Sequence, residues 1–301
     1  MQKVTLLNAS SELELNLDQG AQINKLSLRH PKTGKKIPVV SPFDPNKSFF
    51  LSGNFLMFPW VNRLESDKLK IVGKTISIEP LEKDTHSQPI HGLYFNKKRR
   101  LIEVRKNSAH IELTEVNPNF PQLSETYTLE DNYLSIQTEI HNPSSQIQEF
   151  AYGYHPYLRL NANLDECIIH TNLTHYIPLD GNSLPIKSLE KRDLSYLFTK
   201  GEPIGSLKLD HLLTGNFREL YFGIYDPKDR LLIQVRVPET SQMPMPYFQV
   251  YIPEDRKSIA IEPMTSTGNA FFTPKSGLCK IAPGERAFGE FLIELKILPI
   301  V

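Results

Sequence analysis

The chain has 301 residues, of which 40% are hydrophobic and 23% charged, and its 34 Lys and Arg cancel its 34 Asp and Glu to a formal net charge of zero. A globular protein with a sizeable core is expected, with no field that favours nucleic acid or an anionic membrane and no run approaching the ~20 apolar residues of a membrane span. Cys167 and Cys279, the only cysteines, have neither framework nor metal-ligand spacing, and residues 1–8 lack the apolar stretch of a secretory signal, so a reducing, cytoplasmic setting is expected.

Alternation with a period of two begins at Leu13, Leu15 and Leu17, the pattern of a half-buried strand. The apolar run Phe55-Leu56-Met57-Phe58-Pro59-Trp60-Val61-Asn62-Arg63-Leu64 then carries the only tryptophan and ends beside a guanidinium. His91 follows in Pro89-Ile90-His91-Gly92-Leu93, where a glycine lets backbone or ligand approach closely. The one basic cluster, Lys97-Lys98-Arg99-Arg100, lacks interleaved aromatic residues and reads as a solvated loop or strand end. Two hairpins come next. Ile102 and Val104 face Ile111 and Leu113 across Lys106-Asn107-Ser108, and Tyr127 and Leu129 face Leu134, Ile136 and Ile140 across Glu130-Asp131-Asn132.

In Phe150-Ala151-Tyr152-Gly153-Tyr154-His155-Pro156-Tyr157-Leu158 a single imidazole stands among aromatic rings. Pro156 fixes its own φ and drives His155 to an extended conformation, which predicts a strand end or tight corner. Residues 193–200 read as one short helical turn. Further strands are predicted at Leu231–Val237 and at residues 247–252, 258–261 and 291–297. Most of the 23 prolines fall between these runs, as loops and edges require. No repeat, low-complexity linker or composition shift divides the chain. The expectation is one all-β domain over residues 1–301, many antiparallel strands in a large sandwich with few short helices.

Each polar residue that interrupts an apolar strand has two readings. His155 is a proton donor or acceptor near neutral pH, or a core histidine in an aromatic cluster. Arg63 offers forked hydrogen bonds to a ligand oxygen, or runs along apolar surface to solvent. His91 lines a close approach, or precedes a turn glycine. Asp210, in Lys208-Leu209-Asp210-His211, accepts from ligand hydroxyls, or starts a turn. Gln249, in Phe248-Gln249-Val250-Tyr251, faces a site or solvent. Glu262 ends the strand Ser258-Ile259-Ala260-Ile261 ahead of Pro263, and a carboxylate there points to function, because buried glutamate is rare unless paired or functional.

Taken in order, the segments Phe58-Pro59-Trp60-Val61-Asn62-Arg63, Ile90-His91-Gly92-Leu93, Gly153-Tyr154-His155-Pro156-Tyr157 and Ile261-Glu262-Pro263-Met264-Thr265 make a case that none makes alone. With the tail Gly268-Asn269-Ala270-Phe271 and Ile281-Ala282-Pro283-Gly284-Glu285, the chain resembles the aldose 1-epimerase (galactose mutarotase-like) family from about residue 21 to 295. The resemblance implies a β-supersandwich, no metal or organic cofactor, and a monosaccharide substrate. It makes His155 the general acid and Glu262 the general base. Arg63, with Asn62, His91, Asp210 and Gln249, would hold sugar hydroxyls or the ring oxygen, and Tyr157 and Trp60 would offer flat apolar faces. One departure stands out: Leu212 and Leu213 follow the Asp210-His211 pair where the family usually has an aromatic residue, which bears on sugar preference.

Anomer exchange needs the C1 hydroxyl to lose a proton while the ring oxygen gains one. A carboxylate and an imidazolium on opposite sides of the C1–O5 bond meet both demands, each positioned group contributing ~10²–10⁴-fold. An ionised Glu262 and a protonated His155 at rest are therefore expected. His91 would stabilise charge developing on the ring oxygen. Three rivals remain at this point. His91, His155 and Glu262 could be a two-histidine, one-carboxylate metal triad, although no two of them share a strand or turn. The protein could be a sugar sensor without turnover. It could also be a hexose-6-phosphate 1-epimerase, with cations such as Lys97 to Arg100 at the phosphate.

Overall fold

The computed structural model describes residues 2–47, 49–71, 73–79, 82–84 and 86–298. Among them, strands and short 3-10 turns are the regular structure, and no helix is long and apolar enough to cross a membrane. One sheet has eight strands in the order Ile168–Thr171, Leu220–Asp226, Leu231–Val237, Arg286–Ile297, Tyr133–His141, Gln122–Leu129, Ser108–Leu113 and Arg99–Val104. A second has seven, in the order Arg192–Asp193, His175–Ile177, Asp210–Thr214, Tyr247–Tyr251, Ile259–Met264, Gly153–Leu158 and Asn54–Met57. A four-stranded sheet is built from Lys3–Leu7, Glu12–Asn16, Gln22–Arg29 and Lys36–Pro38. The strand pairs are antiparallel, so the fold is the large antiparallel β-sandwich that the alternation predicts.

Period-two patterning explains which faces meet. Gln122–Leu129 reads exposed-buried-intermediate-buried along its length, with Leu123, Glu125, Tyr127 and Leu129 inward. Its hairpin partner Tyr133–His141 turns Leu134, Ile136, Thr138 and Ile140 the same way, across the turn predicted from Glu130-Asp131-Asn132. The facing seven-stranded sheet supplies Tyr154, Phe248 and Ile261 to the same core, and Tyr154 meets Phe291 with ring centroids 5.3 Å apart. Each such large side chain taken out of water stabilises the fold by about 1.5–3 kcal/mol.

The central strands of the seven-stranded sheet differ from the rest. Asn54–Met57, Gly153–Leu158 and Ile259–Met264 are buried on both faces. One face packs on the eight-stranded sheet, and the other must be covered by something else. Residues 193–200 contain the expected short turn, a 3-10 helix at Leu194–Tyr196. His155 departs from expectation: it lies within the strand Gly153–Leu158, not at its end. The ladder to Ile259–Met264 pairs Gly153 with Met264 and Tyr157 with Ala260, and is open between them. Pro156 and Pro263 flank that opening, and neither has an N–H with which to close it.

Candidate active site

Directly opposed residues on antiparallel strands project from the same face, and so do residues two apart on one strand. The register therefore lays out a row of side chains across five strands. Leu212 pairs with Gln249, Gln249 with Glu262, and His155 with Phe55. The pairs on either side set Glu262 opposite His155. The neighbouring row on the same face holds Asp210, Tyr251, Ala260 and Tyr157. Chain positions spread over two hundred residues thus meet on one patch.

At its centre His155 Nε2 lies 3.2 Å from Glu262 Oε1, with the two side chains only 4% and 3% exposed. Phe55 stacks on the imidazole at 4.6 Å and 22°, and the Tyr157 and His91 rings stand 4.9 and 5.1 Å away. Glu262 Oε2 and His155 Nδ1 are buried without a hydrogen-bond partner among the described residues. The pair stands side by side on neighbouring strands. Adjacent groups still suffice for a hemiacetal, whose ring oxygen and C1 hydroxyl share one carbon.

Asn62, Arg63 and His91 come from two loops tied together along their backbones. His91 N–H donates to the Asn62 carbonyl at 3.0 Å, Leu64 N–H to the Pro89 carbonyl at 2.9 Å, and Leu93 N–H to the Phe58 carbonyl at 2.8 Å. Asn62 and His91 both sit in the left-handed region, at φ 51° and 58°, a conformation that costs a side-chain-bearing residue energy and clusters at functional sites. Gly92 shows why the sequence needs its glycine. At φ 88° a Cβ there would lie 2.1 Å from the Phe58 carbonyl oxygen, so no other residue lets this loop approach the strand end and aim His91. His91 Nδ1 rests 2.9 Å from Met57 Sδ. The Arg63 Nε donates to Asp84 Oδ2 at 2.6 Å and its Nη1 to Asn62 Oδ1 at 3.3 Å.

The outer row is polar and partly open. Gln249 Nε2 donates to Asp210 Oδ1 at 2.5 Å, and Asp210 is exposed. The Tyr157 hydroxyl donates to the Phe50 carbonyl at 2.5 Å. Phe50 belongs to the 3-10 turn Phe49–Leu51 that covers this face, its ring 4.9 Å from that of His91.

Burial dominates the electrostatics and overturns the expected ion pair. It drives the His155 imidazole down to about 3. It also raises the Glu262 carboxyl well above the usual carboxylate range, as does nearby Asp210, while Arg63 pulls it back. His91 is held neutral by burial first, with the Arg63 charge, and any proton placed on His155, acting the same way. Two fully desolvated charges lose more hydration than a 3.2 Å contact returns. The resting pair is a neutral imidazole beside a carboxylic acid, one proton in all. The proton count matches the sequence reading; its location does not.

Asn62, Arg63, His91, His155, Tyr157, Asp210, Gln249 and Glu262 therefore converge on one face. The basic run does not join them. Arg99 is buried against the Gly20 and Tyr94 carbonyls, Arg100 pairs with Glu112, and Lys98 with Asp18, at the edge of the eight-stranded sheet. Sequence reasoning passed over Phe50, Phe55, Tyr251 and Asp84. Alternation through Phe55 and Met57, and through Gln249 and Tyr251, could have found two of them; no pattern points from Asp84 to Arg63. Cys167 and Cys279 are both free thiols. Among the described residues no three His, Cys, Asp or Glu side chains are grouped to hold a metal ion.

Comparison with known proteins places the chain and its fold. The family model for aldose 1-epimerase matches residues 2–294. A galactose mutarotase-like protein from Clostridium acetobutylicum superposes with a TM-score of 0.79 at 17% identity, over 98% of this chain and 95% of its own. The aldose epimerase homologue from C. elegans gives 0.77 at 16% identity, over 99% of both chains. A galactose 1-epimerase from Lactobacillus acidophilus gives 0.73 at 16% identity, over 98% and 94%. No match is found among curated protein sequences.

Proposed function

The chain belongs to the aldose 1-epimerase family, and we propose that it interconverts the α and β anomers of a free hexose by general acid/base opening and closing of the ring, without a cofactor. The observation that carries this reading is the buried His155–Glu262 pair, Nε2 and Oε1 3.2 Å apart, whose Glu262 Oε2 is left without a partner among the described residues on a face lined by Arg63, Gln249 and Asp210.

Entry of sugar hydroxyls and the pull of Arg63 on Glu262 move the shared proton to His155. Glu262 takes the C1 hydroxyl proton as His155 gives its proton to the ring oxygen. The C1–O5 bond breaks and the electron pair of the C1–O⁻ becomes the aldehyde carbonyl. Rotation about C1–C2 presents the other carbonyl face. The C5 hydroxyl then returns its proton to His155 as it attacks C1, and Glu262 protonates the new C1 oxygen. The single proton is regained each cycle, so no net acid or base is consumed. His91, kept neutral, stands edge-on to the His155 ring, and Asn62 and Arg63 with Gln249 and Asp210 fix the hydroxyls. Tyr157 backs the imidazole. A pure sugar sensor has no use for this proton-sharing pair. The free sugar is favoured over a 6-phosphate because the Lys98–Arg100 cations are committed elsewhere. Two free thiols suit a cytoplasmic location.

Polarimetry on freshly dissolved α-glucose, α-galactose and glucose 6-phosphate tests the assignment. Acceleration of the free sugars is expected, undiminished after dialysis against a chelator. Acceleration confined to the phosphate moves the substrate to that class, and a chelator-sensitive rate restored by metal contradicts the acid/base scheme.

The pair also fixes the pH dependence. The active form holds one proton. Rising pH removes it through the raised Glu262 carboxyl, and falling pH adds a second only at His155, near about 3. Thus kcat/KM, which follows the free enzyme, is not expected to fall as pH is lowered from 7 to 5. A tenfold fall centred on the ordinary histidine value of about 6.5 would show that His155 titrates as an exposed imidazole.

A further inference from the structure

Arg63 is gripped from behind. Its side chain is 18% exposed and that of Asp84 6%, and Asp84 Oδ2 accepts from Nε at 2.6 Å. Asn62 Oδ1 accepts from Nη1 at 3.3 Å, which leaves Nη2 without a partner among the described residues. Asp84 is fixed in turn by its own loop. Its Oδ1 accepts the backbone N–H groups of His86 and Gln88, both at 2.9 Å, and its own N–H donates to the Gln88 carbonyl at 2.9 Å. The two oxygens therefore have separate tasks, one closing the loop and the other orienting the guanidinium. Against burial, which pushes it up, the Gln88 amide and the Arg63 guanidinium hold the Asp84 carboxyl below its usual range, so it is an anion at neutral pH.

We propose that Asp84 is a positioning residue for the sugar, acting through Arg63: it locks the guanidinium so that the free Nη2 edge faces the patch that carries Glu262 and Asp210. The inference rests on the mutarotase reading of that patch. A guanidinium is useful to a sugar only if its fork is aimed, because its hydrogen bonds are directional and coplanar. An arginine with one hydrogen-bonded edge and one open edge is aimed. Without Asp84 the Arg63 side chain would have only the longer Asn62 contact to hold it, and ordering it would fall on the sugar's binding energy.

Asp84→Asn isolates the effect. An amide has one oxygen and one NH₂ group, so it cannot serve both tasks. If its oxygen stays with His86 and Gln88, an N–H faces the N–H of Arg63; if it turns over, the loop donors face N–H instead. The charge on the pair is lost in either case. The expected result is a fall in kcat/KM of about 10- to 100-fold for the sugar that the wild type accelerates, carried by KM with kcat within about threefold. In an Arg63→Ala background, the same Asp84→Asn change is expected to alter kcat/KM by less than about threefold, since its partner is gone. Circular dichroism confirms that each variant is folded. Should Asp84→Asn not fold, Arg63→Lys takes its place: an ammonium cannot hold Asp84 and Asn62 while presenting a planar edge, and KM is expected to rise about tenfold.

An active wild type with an unchanged Asp84→Asn variant, or with an unchanged Arg63→Lys variant where that one is used, overturns the inference and leaves the proposed function standing. So does an equal loss in both backgrounds, which would mark Asp84 as a structural residue of its loop. A wild type that accelerates no sugar overturns the proposed function and this inference with it.

Discussion

Glu262→Gln is expected to lower kcat for anomer interconversion by about 10²–10⁴-fold while KM stays within about tenfold. Gln has the shape of Glu and still hydrogen-bonds, so the sugar's hydroxyls keep their neighbours. What is lost is a group that can take and return the C1 proton. Glu262 Oε1 lies 3.2 Å from His155 Nε2, so the substitution also removes the partner with which the imidazole shares its proton. Stability is expected to change by less than about 1 kcal/mol, because the carboxyl that Gln replaces is already held neutral by burial. Polarimetry gives both constants and urea unfolding gives the stability. A variant as fast as wild type would remove Glu262 from the mechanism.

His155→Asn is expected to cost kcat a comparable factor of about 10²–10⁴, and the double variant His155→Asn with Glu262→Gln is expected to be little slower than either single one. Two independent proton-transfer groups would multiply their losses. A pair that passes one proton back and forth fails when either member is gone, as residues acting as a unit do. Asn leaves space beside Phe55, which stacks on the imidazole at 4.6 Å, so a stability loss of about 1–3 kcal/mol accompanies the kinetic effect. Full multiplication of the two single losses in the double variant would mean that the groups act separately, and the shared-proton scheme would have to be abandoned.

How far the sequence discloses this site depends on whether the information is local. Alternation around Glu130-Asp131-Asn132 marks a hairpin because strand period and turn chemistry lie within twenty residues of each other. Family resemblance brought out His155 and Glu262 as a pair, yet nothing local states that they are register partners; that follows from Gly153 meeting Met264 and Tyr157 meeting Ala260. The strand end or tight corner expected at His155-Pro156 is an internal stretch of strand, where Pro263 on the neighbouring strand also lacks an N–H and the ladder opens around both. The expected ion pair became a neutral one, because depth of burial belongs to the whole fold and decides the sign of both shifts. Lys98 and Arg100 look as available for a phosphate as any surface cation until the topology puts them at the edge of the other sheet, where Asp18 and Glu112 take them. Asp84 was invisible for a simpler reason: its contact with Arg63 bridges two loops, and loop-to-loop contacts leave no period in a sequence.

The most direct measurement is saturation transfer by NMR between the α and β anomeric protons of glucose and galactose, with wild-type protein and with Glu262→Gln. The account predicts transfer that grows in proportion to wild-type protein and falls to the buffer rate with the variant. Transfer no faster than buffer for every free aldose tested, or transfer equal in the two proteins, would contradict a proton shared by His155 and Glu262 as the engine of ring opening.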